Sequence, residues 1–386
     1  MRYSFRLAEL LGHVPNPRKR PGTIKAIVEY TGLDRHQVAA LLKNEVKYIP
    51  LRALSRLCDY LIDHGHVSED QLPGALFAIE SENFWELLAR RQRLELCLGV
   101  RRDQQQKGSD AAWVVASDSV LLGELLNGVS TLGGTTKLRE EAHSHEEASA
   151  PLPPHPENIK QSLVWSPGQV PADEVRQRAD EVYDGFDELA GDKALICLGS
   201  MKSNPVVELM LTEAFGGEPF VPQVDVDEPN QRSIPFFVRY RADDPNATSI
   251  AAGSFLSKNT RADAPGIYYE QAGGKWAHCA WDEPQHDAAF VFYVHRESQG
   301  RLEMALAGFS GRATRLLAKS LATRAQDFWP PTYEGQGIQV GAYIVQFTFT
   351  SQDTQSHDIL LTDLSAATRV IPLDGESIAR RLQVSS

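Results

Sequence analysis

Two helix-like segments joined by a very short turn constrain the fold of this chain more than any other feature of its sequence. In residues 23–31, Ile24 and Ile27 recur at the spacing expected for a helix with one apolar face. Gly32 follows, and glycine adopts the left-handed backbone that ends many helices. Asp34 then precedes a second apolar pattern, where its carboxylate can accept hydrogen bonds from the first amides of a helix. The pattern predicts two helices packed across a turn of about three to four residues.

The second helix is predicted over residues 34–43 and a third over residues 51–63, where leucines recur at helical spacing. The apolar side chains that would fill the wedge between the first two helices are Ile27, Val28, Leu33, Val38 and Leu41. The third helix would complete this small core. The N-terminal region is therefore predicted to be an all-α bundle.

Residues 23–61 resemble the lambda-repressor/Cro-like helix-turn-helix family, also called the XRE family. The resemblance covers about a tenth of the 386 residues. It rests on the ordered match of Ile24, Ile27, Gly32, Leu33, Val38, Leu41, Leu42, Ile49, Leu54, Leu57 and Leu61. The resemblance implies that residues 34–43 form the recognition helix, with its N-terminal end in the major groove of duplex DNA.

The resemblance also implies which side chains contact DNA. Asp34 begins the recognition helix, and Arg35, His36 and Gln37 are the candidates for reading base edges, since Arg pairs with guanine and Gln with adenine. The candidates that would face phosphates are Thr23, Lys25, Lys43, Asn44 and Lys47. Arg18, Lys19 and Arg20 form a basic arm, which would lie on the backbone or enter a minor groove.

The distribution of charge agrees with a nucleic-acid partner for the N-terminal region. Residues 1–56 contain eleven Lys and Arg against four Asp and Glu, a charge of +7, whereas the remaining residues contain 28 against 47, a charge of −19. The two parts account for the net charge of −12. A basic region on an acidic chain binds phosphates locally while the rest resists nonspecific association.

Composition excludes several classes of protein. No run of eighteen apolar residues predicts a membrane span, and the N-terminus lacks a signal-peptide core. The four cysteines lie far apart in sequence, which argues against a zinc site or a disulfide framework. We therefore expect a cytoplasmic protein with buried thiols and with neither a metal nor a cofactor.

The chain is long enough for two or three domains. We expect a helix-turn-helix domain over residues 1–80, followed by an α/β segment over 81–130 that is either separate or part of the C-terminal sheet. Residues 131–161, rich in Pro, Glu and His, are expected to be a linker or long loop. Residues 162–386 alternate strand and helix patterns, which favours an α/β domain, Rossmann-like with a helix-covered sheet, for ligand sensing or oligomerisation.

Two strand-to-helix junctions in this region carry ligand-binding chemistry. The first presents Gly199, Ser200, Lys202, Ser203 and Asn204, and the second presents Gly308, Ser310, Gly311 and Arg312. Glycine permits a tight turn there, and free amides at a helix N-terminus favour anions. We expect a small anionic molecule, such as a nucleotide, between the two junctions. Plain capped turns are the alternative for each junction taken singly.

These features favour a DNA-binding transcriptional regulator whose acidic α/β body senses a ligand or drives oligomerisation. A homodimer or higher oligomer is expected, because one recognition helix reads only a few base pairs. An enzyme of nucleotide or sugar metabolism with a fused regulatory domain is a second hypothesis, although no general base stands near the two junctions. A structural DNA-binding protein whose body only oligomerises is a third, and a helical bundle that binds protein instead of DNA is the alternative for the N-terminal region.

Overall fold

The computed structural model describes residues 3–11, 23–43, 45–67, 69, 72, 74–79, 81–102, 112–132, 156, 158–188, 192–222, 232–257, 260–282, 285–335, 337–349 and 368–382. The helices are α1 (Leu7–Leu10), α2 (Thr23–Thr31), α3 (Arg35–Leu42), α4 (Leu51–Asp63), α5 (Phe84–Ala89), α6 (Ala116–Thr131), α7 (Ala172–Asp187), α8 (Val206–Phe215), α9 (Gly311–Arg324) and α10 (Gly375–Arg381).

The strands of the N-terminal and central parts are β1 (Tyr3–Phe5), β2 (Phe77–Ile79), β3 (Arg93–Arg102), β4 (Ala112–Val114), β5 (Asn158–Trp165), β6 (Lys193–Leu198), β7 (Phe236–Arg239), β8 (Phe255–Ser257) and β9 (Thr260–Arg261). They are followed by β10 (Gly266–Glu270), β11 (Trp276–Ala280), β12 (His286–Arg296), β13 (Arg301–Gly308), β14 (Tyr333–Gly335), β15 (Ile338–Thr348) and β16 (Thr368–Pro372). Below, residues 3–79 are called the head and residues 81–382 the body.

The head is a helical unit with its own apolar core. Helices α2, α3 and α4 contribute Ile27, Val38 and Leu57, each fully buried. The first and last segments of the head close it, because β1 and β2 pair in antiparallel register from Tyr3↔Ile79 to Phe5↔Phe77. The first part of the chain is thus the helical region that its sequence predicts.

A mixed nine-stranded sheet organises the body. Its parallel part has the order β5-β3-β6-β13, and β12 and β15 continue it in antiparallel direction. Strands β14 and β16 pair with β15, and β4 pairs with the end of β3. The connection between β12 and β13 is too short for a crossover, so these two strands form a hairpin and the sheet cannot be parallel throughout.

Both faces of this sheet are covered. Successive side chains of β6 point to opposite faces of the sheet. Ile196 packs among α5, α6 and α9 on one face, and Cys197 packs among α7 and α8 on the other. The small antiparallel sheet β11-β10-β7 adds to the second layer. The C-terminal region therefore combines a mixed sheet with helices, and no helix among its described residues or those of the head is long and apolar enough to cross a membrane.

The linker predicted over residues 131–161 needs correction at its C-terminal end. Residues 133–155 and 157 lie outside the described residues, but Asn158–Trp165 is the strand β5, paired in parallel with β3. Ile159 and Leu163 are about half exposed there, so the strand lacks the continuous apolar run that marks buried strands. Because this strand is polar, residues 158–161 were assigned to the linker, although they belong to the sheet.

Candidate nucleic-acid interface and ligand crevice

The turn between α2 and α3 has the local geometry that its sequence predicts. Gly32 follows the last residue of α2 with a φ of +75°, in the left-handed region that glycine tolerates. The Asp34 side chain accepts a hydrogen bond from the Gln37 amide at 2.8 Å, and the Gln37 side chain accepts one from the Asp34 amide at 3.2 Å. This reciprocal pair is a capping box, and it fixes where α3 begins.

The predicted wedge residues hold α2 and α3 together. Ile27, Val38 and Leu41 are fully buried, Leu33 is nearly so, and Val28 packs against them from a half-buried position. Helix α4, which begins and ends at the residues predicted for the third helix, completes the core. Because α2 and α4 share this core with α3, the outer face of α3 is presented on a rigid support.

The N-terminal half of α3 is open to solvent. Arg35 and His36 are exposed, and Gln37 is half-buried because its side chain closes the capping box. Lys43 and Lys47, further along the chain, are also exposed. The side chains predicted to read base edges therefore lie near the start of the helix, and those predicted to contact phosphates lie at its end or beyond.

Two other predicted contacts, Thr23 and Lys25, lie in the first turn of α2. Thr23 is the first residue of α2, and Lys25, two residues further, is exposed and lies 3.7 Å from Glu29. The basic arm of Arg18, Lys19 and Arg20, together with Asn44, lies outside the described residues.

Comparison with known protein families decides what this arrangement is. Residues 18–62 match the Cro/C1-type HTH DNA-binding domain. The N-terminal region is a helix-turn-helix DNA-binding domain of this type. No curated protein and no solved structure matches the chain.

The HTH domain contacts the body away from the open part of α3. Arg6 forms an ion pair of 3.0 Å with Asp192, just before β6, and Arg91 approaches the same carboxylate at 3.5 Å. Gly337, in the turn before β15, lies against the carbonyl of Lys43, where an added Cβ would come within 2.6 Å of that oxygen. The end of α3 therefore faces the body, whereas Arg35 at its start does not.

The two predicted ligand junctions lie at one edge of the sheet. Strands β6 and β13 are parallel neighbours, with Leu198 paired to Leu306, so the junctions that follow them emerge side by side. They touch, since the Lys202 ammonium donates to the Phe309 carbonyl at 3.3 Å. Ser117, at the start of α6, lies next to Gly311 on the same edge.

Most polar groups of these junctions already have protein partners. The Asn204 amide donates to the carbonyls of Cys97 and Leu198, at 3.0 and 3.2 Å, and thereby ties β3 to β6. The Ser310 hydroxyl accepts from the first amides of α9 and donates to Asp287, whose pKa is raised to about 6 by burial. These contacts show what the side chains do in the fold, while the predicted binding of an anion stays a prediction.

The remaining predicted residues of the two junctions are buried or half-buried, or lie close to neighbouring backbone. Ser200 is buried, and its carbonyl accepts from the amides of Ser203 and Asn204 at 2.8 Å each. Arg312 is half-buried, with its guanidinium over the ring of Phe349. Gly199 has a φ of +97°, and Gly308 lies so close to α9 that a Cβ there would approach the Thr314 amide within 2.2 Å.

A cavity of about 240 Å³ lies beside the first junction, and sequence reasoning missed most of it. Lys202 lines it, but so do Glu208 of α8 and Tyr240, after β7, which the sequence did not single out. A signal was present, because Glu208 is an acid within the otherwise apolar stretch VVELML. Among the described residues, no cluster of three His, Cys, Asp or Glu side chains is arranged to hold a metal ion.

Proposed function

We propose that this protein is a transcriptional regulator that binds duplex DNA through α3 of its HTH domain. The observation that carries the proposal is the match of residues 18–62 to the Cro/C1-type HTH DNA-binding domain, in which α3 begins at a capping box and α2, α3 and α4 share one core. The charge of +7 on residues 1–56 supports binding to phosphates.

In this proposal the exposed side chains divide their roles. Arg35 and His36 read base edges, and Gln37 joins them by releasing its capping contact with the Asp34 amide. Lys43 and Lys47 contact phosphates, as do Lys25 and Thr23 at the start of α2. Arg18, Lys19, Arg20 and Asn44 are proposed as further DNA contacts.

Substitution of Arg35 by Ala tests the placement of the recognition helix. We expect Arg35→Ala to weaken binding to the preferred site by about 1–3 kcal/mol and to relax its sequence preference, because bidentate contacts to guanine are lost. Lys43→Ala should instead weaken binding to all sequences alike and reduce the salt dependence. Fluorescence anisotropy on the selected site and on a scrambled duplex, at several salt concentrations, measures both.

Equal losses on the two duplexes for Arg35→Ala would contradict this placement of α3. Lys275→Ala is the control, since Lys275 is an exposed cation of the body, before β11, and its loss should leave both affinities unchanged. Protein that binds neither duplex at low salt would overturn the proposed function itself.

For the body we propose ligand sensing and assembly into a homodimer. Support for a ligand crevice comes from the strand order, since progression through the parallel strands reverses between β3 and β6, and α/β proteins bind ligands at such points. The same reversal supports the Rossmann-like interpretation of the parallel part. Support for assembly comes from β5, where Ile159 and Leu163 expose apolar surface and no described strand pairs with the outer side.

The proposed arrangement separates a DNA-binding domain near residue 80 from a body that begins with α5 and β3. A cytoplasmic location follows from a role on DNA. The second candidate, an enzyme of nucleotide or sugar metabolism, has one supporting observation in the buried carboxylate of Asp287 beside Ser310. Turnover of nucleotides or sugar phosphates by the purified chain would favour it over a sensor.

A further inference from the structure

The cavity beside the first junction is enclosed mainly by apolar side chains. It lies at the carboxyl ends of β5 and β6, between the start of α7, the start of α8 and residues 240–249. Its walls include Val170, Val175, Met201, Pro205, Phe220 and Tyr240. A volume of about 240 Å³ accommodates a compact organic molecule and not a dinucleotide.

One anionic group lines this cavity without an ion-pair partner. Glu208 is 1% exposed, and its carboxylate accepts hydrogen bonds from the Ser249 hydroxyl and from the amides of Ile250 and Phe220. No Lys or Arg of the described ranges forms an ion pair with it. Burial raises the pKa of Glu208 to about 7, although its hydrogen bonds and the more distant Arg232 guanidinium act in the opposite direction.

Two buried cations near the cavity have other partners. The Lys202 ammonium lies 2.8 Å from the carboxylate of Asp244, so its charge is already neutralised. The Arg232 guanidinium is buried and donates to the carbonyls of Phe255, Ile250 and Ala252. Both cations therefore make their direct contacts with other groups, and Arg232 acts on the Glu208 carboxylate only from beyond ion-pair distance.

A third cation, Arg176 of α7, stands at the exposed side of the cavity. Its guanidinium donates to the Phe220 carbonyl at 3.5 Å and lies 5.6 Å from the centre of the Phe220 ring. Arg176 therefore contacts Phe220 and forms no ion pair with the Glu208 carboxylate.

Aromatic rings complete the lining next to the carboxylate. Tyr240 is 6% exposed and lies close enough to Glu208 for the carboxylate to raise the pKa of its phenol, after burial, the larger cause. Phe220 is half-buried, and its amide is one of the donors to Glu208. Protein cations already lie near both rings, with Lys202 5.4 Å from the centre of the Tyr240 ring and Arg176 near that of Phe220. The lining next to the carboxylate therefore favours positive charge, because ring quadrupole and carboxylate both attract it.

We propose that this cavity binds a small organic ammonium compound with an apolar body, whose cation lies against Glu208. Such a ligand supplies a cation in direct contact with the Glu208 carboxylate, and its remaining atoms pack against the apolar walls. A change in DNA binding on addition of this ligand would further require the function proposed above.

Calorimetric titration of the full chain with phenethylammonium chloride, at about pH 8 where Glu208 is ionised, tests the proposal. We expect saturable binding at one site, weakened about tenfold or more in Glu208→Gln. Glu218→Gln is the matched control, because Glu218 is exposed ten residues further along the chain and should leave binding unchanged. Val170→Trp fills the cavity from its wall without altering Glu208 and should also abolish binding.

Three results would overturn the proposal. They are no binding of phenethylammonium by the folded wild-type chain, equal binding by the folded Glu208→Gln or Val170→Trp variant, and preferential binding of 3-phenylpropionate or inorganic phosphate. Anisotropy with duplex DNA on the same preparation separates this inference from the proposed function. DNA binding without phenethylammonium binding overturns the cavity alone, and the reverse result overturns the DNA-binding function alone.

Discussion

Some single residues have roles that can be predicted from the sequence, and others do not. Gly32 and Asp34 were assigned from local chemistry, because a left-handed turn and a helix cap depend on neighbours within a few positions, whereas the capping contact of Gln37 was not predicted. Glu208 could not be placed, because both faces of α8 are buried and its apolar neighbours give no direction for one acid. Its partner Ser249 lies 41 residues away, on a different part of the chain.

The buried carboxylate of Glu208 predicts a pH dependence of stability. Its pKa is raised from 4.5 to about 7, so the folded state favours the protonated form. The stabilising contribution is therefore complete below about pH 4.5 and is lost as the pH rises through 7, by about 1.4 kcal/mol per pH unit at most. The charged and titratable groups around it are Arg232 and Tyr240, and Glu208→Gln leaves both of them in place.

Chemical denaturation of wild type and Glu208→Gln at several pH values measures this effect. Between about pH 5 and 7.5, wild type should lose on the order of 1–3 kcal/mol relative to the variant, because the amide that replaces the carboxyl group cannot ionise. Comparison of the two proteins cancels the other titrating carboxyls, Asp287 and Asp118 among them. Parallel pH profiles would show that Glu208 does not carry this dependence.

At the scale of elements, buried strands and amphipathic helices follow from the sequence, while their partners do not. The apolar runs at residues 94–99 and 194–198 predicted strands, and the structure pairs them as β3 and β6. The exposed start of β5 was missed because an edge strand has polar residues on its open face. The antiparallel half of the sheet was missed because periodicity does not encode strand direction.

Close approach between elements predicts the effect of a glycine substitution in β3. An added Cβ at Gly99 would lie 1.9 Å from the Ser203 carbonyl oxygen, which also accepts a hydrogen bond from Ser166 at 2.7 Å. Gly99→Ala must displace the first junction, and we expect it to destabilise the fold by about 2 kcal/mol or more. Gly185→Ala, where α7 leaves open space, should stabilise by roughly 0.5–1 kcal/mol.

Thermal unfolding followed by circular dichroism measures both variants. A Gly99→Ala protein as stable as wild type would show that the junction moves aside at no cost. The control matters because it separates the loss of space from the general preference of helices for alanine.

At the scale of the whole molecule, the head and the cavity lie at opposite ends of β6. Asp192, which pairs with Arg6, precedes the strand, and Met201 and Lys202 follow it in the cavity lining. The six residues of β6 span about 20 Å. Such a placement could not be predicted, because Arg6 and Asp192 are remote in sequence and neither belongs to a recognisable motif.

Assembly is the prediction that belongs to the whole molecule. Because one α3 reads only a few base pairs, we expect two chains to act on paired half-sites. Sedimentation at micromolar concentration should therefore give twice the mass of one chain without DNA, and two chains per duplex when DNA is added. A single-chain mass under both conditions would contradict the expected homodimer.

The pairing of β1 with β2 has a consequence for protein engineering. Since these strands are hydrogen-bonded neighbours, the two ends of the head lie about 5 Å apart. A domain whose termini are this close can be inserted into a surface loop of another protein with little distortion of its host, and its own ends can be joined to make a circular permutant. The head is thus suited to insertion into other proteins, with its new termini chosen to match the insertion site.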